Sequence, residues 1–328
     1  LGGLGLLGTK PSERAMEEAD ALLMVGTNFP YTRYLPEKAQ VVQIEIDPTR
    51  AGNRLPVAVP LIGDAAATLE ALIPKIVPRS DRSFLQEKQE EMVSWREEMK
   101  TLEDPAREPI QPQALMRAID AHADDNAILT TDSGTIATWA ARHFDIRGER
   151  GFMLSGNLAT MAPGLPYSIA AQIAHPGRQC IAFVGDGGFA MLMAEFLTAV
   201  RYELPIKVFV VNNGELGQIL WEQMVLGFPE YGVRWERKAD FATWARACGA
   251  TGLHVERSAE VEPAVREALS AEGPALVDVS VNPDEPPMPP TVSYKQAKGF
   301  AEAFLKGQPR RATIASTLLR DKLDDLGG

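Results

Sequence analysis

The stretch that decides the fold is QCIAFVGDGG at residues 179–188, answered by IKVFVVNNGELG at 206–217. Each is an apolar run of strand length that ends on polar and glycine residues. One helical stretch, GFAMLMAEFLTAVRY, lies between them. A strand–helix–strand unit of this kind crosses over right-handedly, so the two strands are expected to run parallel. Asp186 and Asn213 then stand at neighbouring carboxyl ends of strands, over the crevice where open α/β sheets bind ligands. A carboxylate, an amide oxygen and a nearby backbone carbonyl form a donor set suited to a hard divalent cation such as Mg²⁺. Gly185, Gly187 and Gly188 let the backbone approach a phosphate and leave amides at a helix start. The plain structural alternative is an Asp-capped turn and an unrelated Asn-Gly turn. For GDG alone that alternative wins; the pairing of both motifs through one unit favours a site.

Outward from this core, residues 109–285 continue the α/β pattern. QPQALMRAIDAHA reads as a helix, NAILTTD (126–132) as a strand ending on an acid, GTIATWAARHF as a helix and ALVDVSV (275–281) as a last strand. Residues 1–78 form a smaller α/β layer, with a helix in SERAMEEADAL capped by Ser12 and strands at 21–26, 41–47 and 61–64. Residues 79–108 are charge-dense and suggest a solvated connecting helix. Five prolines between 283 and 291 open an extended arm, 286–328, whose end is helical. The fold class expected is α/β, with parallel sheets flanked by helices. Three strands are few for a doubly wound sheet, and the chain opens without Met, so further sequence on the N-terminal side is expected.

GDG followed by 24 residues and NN is the signature of thiamin-diphosphate enzymes, and the chain resembles that family over nearly its whole length. The resemblance implies thiamin diphosphate and Mg²⁺ as cofactors. Asp186, Asn213 and the backbone carbonyl of Glu215 become metal ligands, with Leu216, Gly217, Gln218 and Ile219 following along the cofactor. Asp132-Ser133-Gly134-Thr135 resembles the loop that meets the diphosphate from the other side. GNLATMAPGLP (156–166) is similar to the segment holding the aminopyrimidine: Ala159 accepts from the 4′-amino group, Thr160 adjoins it, and Met161 is the wedge that bends the cofactor. A plain core role is the alternative for Met161. The glutamate that tautomerises the pyrimidine belongs to a separate N-terminal domain in this family, and nothing here matches it.

The resemblance is closest to the pyruvate oxidase and quinone-linked pyruvate dehydrogenase branch. GTNFPYTRYLP (26–36), QIEIDPTRAG (43–52) and LIGDAAATLEALIP (61–74) look like its FAD-binding central domain, so residues 1–78 are expected to be part of that domain. Gly26, Thr27, Asn28, Phe29 and Pro30 would line the flavin nucleotide, with Glu45 or Asp47 on ribose hydroxyls and Asp64 on the next loop. PPMPPTVSYKQAKGFAEAFLKG (286–307) is similar to the C-terminal arm of the quinone-linked enzymes. The activity implied is decarboxylation of a 2-oxo acid, pyruvate foremost, with electrons passing through FAD to quinone or oxygen. Acetolactate synthesis, or a non-catalytic subunit of the same fold, are the alternatives. A homodimer or tetramer is implied, since sites in this family lie between subunits.

Composition narrows the rest. Lys plus Arg number 33 against 44 Asp plus Glu, a net charge of −11, which argues against a nucleic-acid partner. Cys180 and Cys248 match no metal or redox spacing and are expected as buried packing residues in a reduced, cytoplasmic protein. His122, His143, His175 and His254 are scattered and are expected to be structural. GLGLLG at 3–8 satisfies a dinucleotide-binding spacing, but no strand precedes it. Glu222 and Gln223 either face substrate or lie on a solvated helix face. Residues 312–326 carry Ala315, Leu318, Leu319, Leu323 and Leu326 on one side. Contact with a membrane surface, and packing on the protein's own body or a partner subunit, are both readings of that helix, and its aspartates favour the second.

Overall fold

The computed structural model describes residues 1–289 and 291–327, with the side chains of 322–327 left out of the description. The chain divides into two compact units, Leu1–Arg96 and Glu97–Gly328. The three strands of the first unit fall where the apolar runs predicted: β1 (Ala21–Val25), β2 (Gln40–Glu45) and β3 (Val59–Ile62), paired in parallel in that order. Pro60 is tolerated because β3 is an edge strand. Helices α1 (Lys10–Glu18) and α2 (Ala65–Leu72) belong to this unit. The cap of α1 is Thr9 rather than Ser12, whose amide donates to Thr9 Oγ1 at 3.3 Å. Pro11, at N1 or N2 of that helix, has its φ preset for the first turn, which moves the helix start ahead of Ser12.

The charge-dense segment forms α3 (Ser83–Thr101), and the division between the units falls within it. It is not wholly solvated. Lys88 is buried, held by Glu18, Glu87 and Glu91 at 2.5, 3.0 and 3.1 Å.

In chain order the second unit contains α4 (Pro112–His122), β4 (Ile128–Thr131), α5 (Thr135–His143), β5 (Gly151–Met153), α6 (Gly164–Ala174), β6 (Cys180–Gly185), α7 (Asp186–Leu192), α8 (Phe196–Arg201), β7 (Lys207–Asn212), α9 (Gly217–Val225), α10 (Phe241–Ala247), β8 (Thr251–Val255), α11 (Ser258–Ser270), β9 (Ala275–Ser280), α12 (Tyr294–Leu305) and α13 (Arg311–Gly327). Six parallel strands stand in the order β5-β4-β6-β7-β9-β8. Strands β4, β6, β7 and β9 read as near-continuous hydrophobic runs because helices cover both faces. Strands β5 and β8 are the two edges, which is why their sequences, GFM and TGLHV, give so weak a signal.

The arm packs on its own unit. Ala303 of α12 and Ile314 of α13 are fully buried with Leu220, Trp221 and Met224, and Phe300 stacks on Trp221 at 6.0 Å between ring centres. The apolar side expected from Ala315, Leu318 and Leu319 is only partly used. Ile314 and Leu318, four apart on one helix face, turn inward, while Ala315 and Leu319 are exposed. Pro290 and the side chains of Leu323 and Leu326 lie outside the described residues. No helix among the described residues is long and apolar enough to cross a membrane.

Candidate functional site

The chain leaves β4 toward β5 on one side, then returns to build β6 and β7 on the other. The carboxyl ends of β4, β6 and β7 therefore flank the point where strand order reverses. Asp132 follows β4, Asp186 follows β6 and Asn213 lies one residue beyond β7.

Asp186 is buried, and its carboxylate is held from three directions. Gly187 N donates to Oδ1 at 2.7 Å, Gly214 N to Oδ2 at 2.8 Å and Trp235 Nε1 to Oδ2 at 3.1 Å. Burial still pushes its pKa up to about 6 against these donors. Asn213 Oδ1 accepts from Glu215 N at 3.1 Å, shaping the NNGEL turn. The preceding Asn212 ties β7 to β9 through its amide, which donates to Asp278 Oδ1 at 2.9 Å. The buried side chain of Glu215 turns away into an ion pair with the half-buried Arg234, and desolvation raises its pKa to about 8.

Close backbone approach explains the glycines. A Cβ at Gly188 would stand 2.0 Å from Asp132 Oδ2, and one at Gly187 would meet Leu216 Cδ2 at 2.9 Å with Met161 Cε at 3.8 Å. On the other wall, Gly134 has φ +129° and precedes Thr135, the first residue of α5. A Cβ at Gly217 would lie 3.2 Å from Asn213 Nδ2 and 3.4 Å from Thr135 Cγ2. The two loops thus meet. Asp132 Oδ1 accepts from Gly164 N at 2.9 Å, and burial raises this carboxyl to about 6 as well.

The loop before α6 closes the site. Ser133 N donates to Thr160 O at 3.3 Å. Ala159 and Ala162 hold φ of +49° and +74°, left-handed values that glycine adopts at less cost. Met161 is 36% exposed, so it is not a core residue. Gln218 Nε2 donates to Glu222 Oε1 at 2.9 Å and Ile219 is exposed, both on the open face of α9. Gln223 instead clips a loop, exchanging hydrogen bonds with the backbone of Tyr231 at 3.1 and 3.0 Å. Trp235 and Arg234 reach the site from 49 and 19 residues away along the chain from Asp186 and Glu215. Nothing local in VRWERK signals this; only the fold does.

These residues fit a metal-bound diphosphate. The oxygen donors on Asp186, Asn213 and the Glu215 backbone share one loop cluster, and side-chain-free backbone lies beside it. Ser133 Oγ, in the loop between β4 and α5, is buried without a hydrogen-bond partner.

In the first unit, Gly26 follows β1 with φ +57° and Asn28 Oδ1 accepts from Arg54 Nε at 3.0 Å. Thr27 and Phe29 are half-buried and Pro30 exposed, and Phe29 meets Tyr31 edge-on. Glu45 is buried at the end of β2 and accepts from the amides of Ile46 and Asp47. Asp47 caps the turn that follows β2 and Asp64 caps helix α2 after β3, accepting from Thr49 N at 2.9 Å and Ala67 N at 3.0 Å. GLGLLG is a tight turn leading into α1, with Gly8 N donating to Gly5 O.

Each histidine has a structural partner or place: His122 with Glu262, His143 with Glu103, His254 with Asp278 and Glu256, and His175 at the end of α6. Cys180 is fully buried in β6. Cys248 is only half-buried, because it caps the short helix α10 instead of lying inside it.

Residues 132–279 match the C-terminal, thiamine pyrophosphate-binding domain of thiamine pyrophosphate enzymes, and residues 1–72 match their central domain. The chain is 44% identical over 306 residues to YdaP of Bacillus subtilis, which carries the provisional name of a thiamine pyrophosphate-containing protein. That match covers 93% of this chain and 53% of YdaP. Pyruvate oxidase of Lactiplantibacillus plantarum is 29% identical over 87% of this chain and 48% of its own length. The mitochondrial acetolactate synthase catalytic subunit of Saccharomyces cerevisiae is 29% identical over 87% of this chain and 44% of its own length. The chain spans about half the length of the curated relatives it matches. With both matched domains formed and the strand-end cluster inside one of them, the chain belongs to the thiamine pyrophosphate enzyme family, of which it carries the central and C-terminal domains.

Proposed function

We propose that this chain holds the Mg²⁺ and diphosphate side of a thiamin-diphosphate-dependent enzyme that decarboxylates a 2-oxo acid, pyruvate foremost. The observation that carries this reading is the convergence of Asp186, Asn213 and Glu215 on one loop cluster beside a glycine-lined backbone. Asp186, the Asn213 amide oxygen and the Glu215 carbonyl would hold the metal. The Ser133 hydroxyl and the amides opening α5 and α7 would hold the diphosphate. Ala159 would accept from the aminopyrimidine, and Met161, beside Leu216 and Gly187, would press the cofactor into its bent form. When bound, the cofactor supplies the carbon nucleophile and the electron sink; the protein supplies position and electrostatics.

Electron transfer through FAD in the central domain to quinone or oxygen belongs to the same reading. The strand-end positions of Gly26–Pro30 and Glu45 in a central domain of this family support it. The similarity to a pyruvate oxidase supports that outcome, and the similarity to acetolactate synthases favours carboligation as the second reading. The missing catalytic carboxylate would come from an N-terminal domain within a dimer or tetramer. Leu158 on the loop before α6 and Met191 on α7 leave exposed apolar surface beside the site, as such an assembly needs.

Calorimetric titration of thiamin diphosphate with Mg²⁺, and again with EDTA, tests the reading on the wild type and on Asp186→Ala. Metal-dependent binding that disappears in the variant supports it. Binding indifferent to both EDTA and the substitution would falsify the ligand assignment. Acetolactate formed from two molecules of pyruvate would select the second reading.

A further inference from the structure

The three hydrogen bonds on Asp186 are unevenly divided. An ionised carboxylate offers about four acceptor positions, two per oxygen. Oδ2 receives two donors, Gly214 N at 2.8 Å and Trp235 Nε1 at 3.1 Å, whereas Oδ1 receives only Gly187 N at 2.7 Å. The indole nitrogen is a donor and nothing else, so it suits only a carboxylate oxygen that accepts.

Trp235 is fixed from its backbone. Its amide donates to Gly214 O at 3.0 Å, Leu216 N donates to Val233 O at 2.7 Å, and Glu215 and Arg234 form an antiparallel bridge between these bonds. The Arg234 guanidinium pairs with the buried Glu215 carboxylate and with Glu230. Segment 233–235 is therefore a short strap laid along the metal loop. The indole comes to rest beside the GDG backbone, with Cζ2 3.4 Å from the place of a Cβ on Gly187.

Resting on the metal-site reading above, we infer that Trp235 is a positioning residue that occupies Oδ2 of Asp186 and so restricts this ligand to one-oxygen coordination through Oδ1. That restriction carries a selectivity. Mg²⁺ takes single oxygens in a strict octahedron, while Ca²⁺ accepts both oxygens of one carboxylate in a larger, looser shell. A donor on Oδ2 favours the smaller ion, and it fixes the orientation of the ligand, as outer partners of metal ligands do.

The test is Trp235→Phe, which keeps an aromatic ring on the strap but removes the N–H donor together with part of the indole's area beside Gly187. Mg²⁺ and Ca²⁺ are each titrated calorimetrically into the protein at saturating thiamin diphosphate, and metal-free melting is recorded alongside. The expected result is a roughly 10-fold loss of Mg²⁺ affinity, a smaller loss for Ca²⁺ and an unchanged metal-free melting temperature. An unchanged Mg²⁺-to-Ca²⁺ preference overturns the inference, as does equal weakening of both ions with a lowered melting temperature, which marks the indole as packing alone. If the wild type binds neither metal, and Asp186→Ala behaves identically, the metal-site reading itself fails and the inference with it.

Discussion

Asp132 and Gly188 occupy one space: a Cβ added at Gly188 would stand 2.0 Å from Asp132 Oδ2 and 2.8 Å from its Cγ. Asp132 cannot swing aside, because it is 1% exposed and its other oxygen accepts from Gly164 N. Gly188 lies in the first turn of α7 without a positive φ, so alanine there gains helix propensity of about 1 kcal/mol. Overpacking a filled site costs about 1–3 kcal/mol and more where nothing can yield. The clash wins. Gly188→Ala is expected to lower stability in urea by about 2 kcal/mol, and adding Asp132→Ala is expected to restore part of it. A midpoint equal to wild type would show that the contact is looser than the geometry states.

Asp132 also sets a pH dependence. Its folded pKa is pushed up to about 6 by burial, above the ordinary 3.8, so the folded protein binds this proton more tightly than the unfolded chain. Stability from this group is therefore greatest at low pH and falls as pH rises from about 4 to past 6. The span of the shift sets the loss at roughly 2–3 kcal/mol. Asp186 shifts the same way to about 6 and adds its own slope. Glu215, raised to about 8, adds a decline over the same range. Asp132→Asn, measured by urea unfolding without metal or cofactor from pH 4.5 to 7.5, is therefore expected to flatten the slope below about pH 6 while the Asp186 and Glu215 contributions remain. A variant that keeps the full slope would place the titration elsewhere.

The strand-end cluster was legible because β6 and β7 are buried on both faces, and buried parallel strands write themselves as apolar runs ending on the functional residue. The edges were not. Three-residue β5 and β8, with Gly252 and His254 inside it, owe their pairing to β4 and β9 and not to any period of their own. Thr9 and Ser12 both suit the cap of α1 by residue type, and it is Pro11 between them that sets the helix start at Thr9. Trp235 and the inward turn of the Glu215 side chain depend on a strap far along the chain, and a single sequence carries no trace of such a contact. At Ala159 the backbone holds φ +49°, a value glycine adopts at less cost, and an alanine in the sequence gives no sign of it.

Met161 separates a wedge from a packing residue. It is more than a third exposed and its Cε reaches toward Gly187, so shortening it removes little buried surface. Met161→Ala is therefore expected to leave the melting temperature within a degree or two of wild type, as surface changes do. If it bends the cofactor, turnover of the assembled enzyme falls about 10–100-fold through lost positioning, while Met161→Leu retains most of it. A large drop in melting temperature with unaltered turnover would return Met161 to a packing role.

Gly299 fixes the arm. A Cβ there would lie 1.9 Å from Val225 O and 2.7 Å from its carbonyl carbon, backbone atoms at the end of α9 that no rotamer change can move. Helix α12 approaches this closely because Gly299 has no side chain, and the approach allows Phe300 to stack on Trp221 and buries Ala303. Gly299→Ala must push the helices apart, loosening the stack and the Lys306–Gly227 hydrogen bond together. The expected cost is about 2–4 kcal/mol, local to the arm, since the six-stranded sheet has its own core. Limited trypsin digestion reads this directly: cleavage at Lys295, Lys298 and Lys306 should accelerate in Gly299→Ala while the sheet fragment persists. Lys298→Ala, on the exposed side one residue earlier, serves as the control and should leave the remaining sites as slow as in the wild type. Equal rates in both variants would mean that α12 is not held through this contact, and that the arm is free to engage another surface.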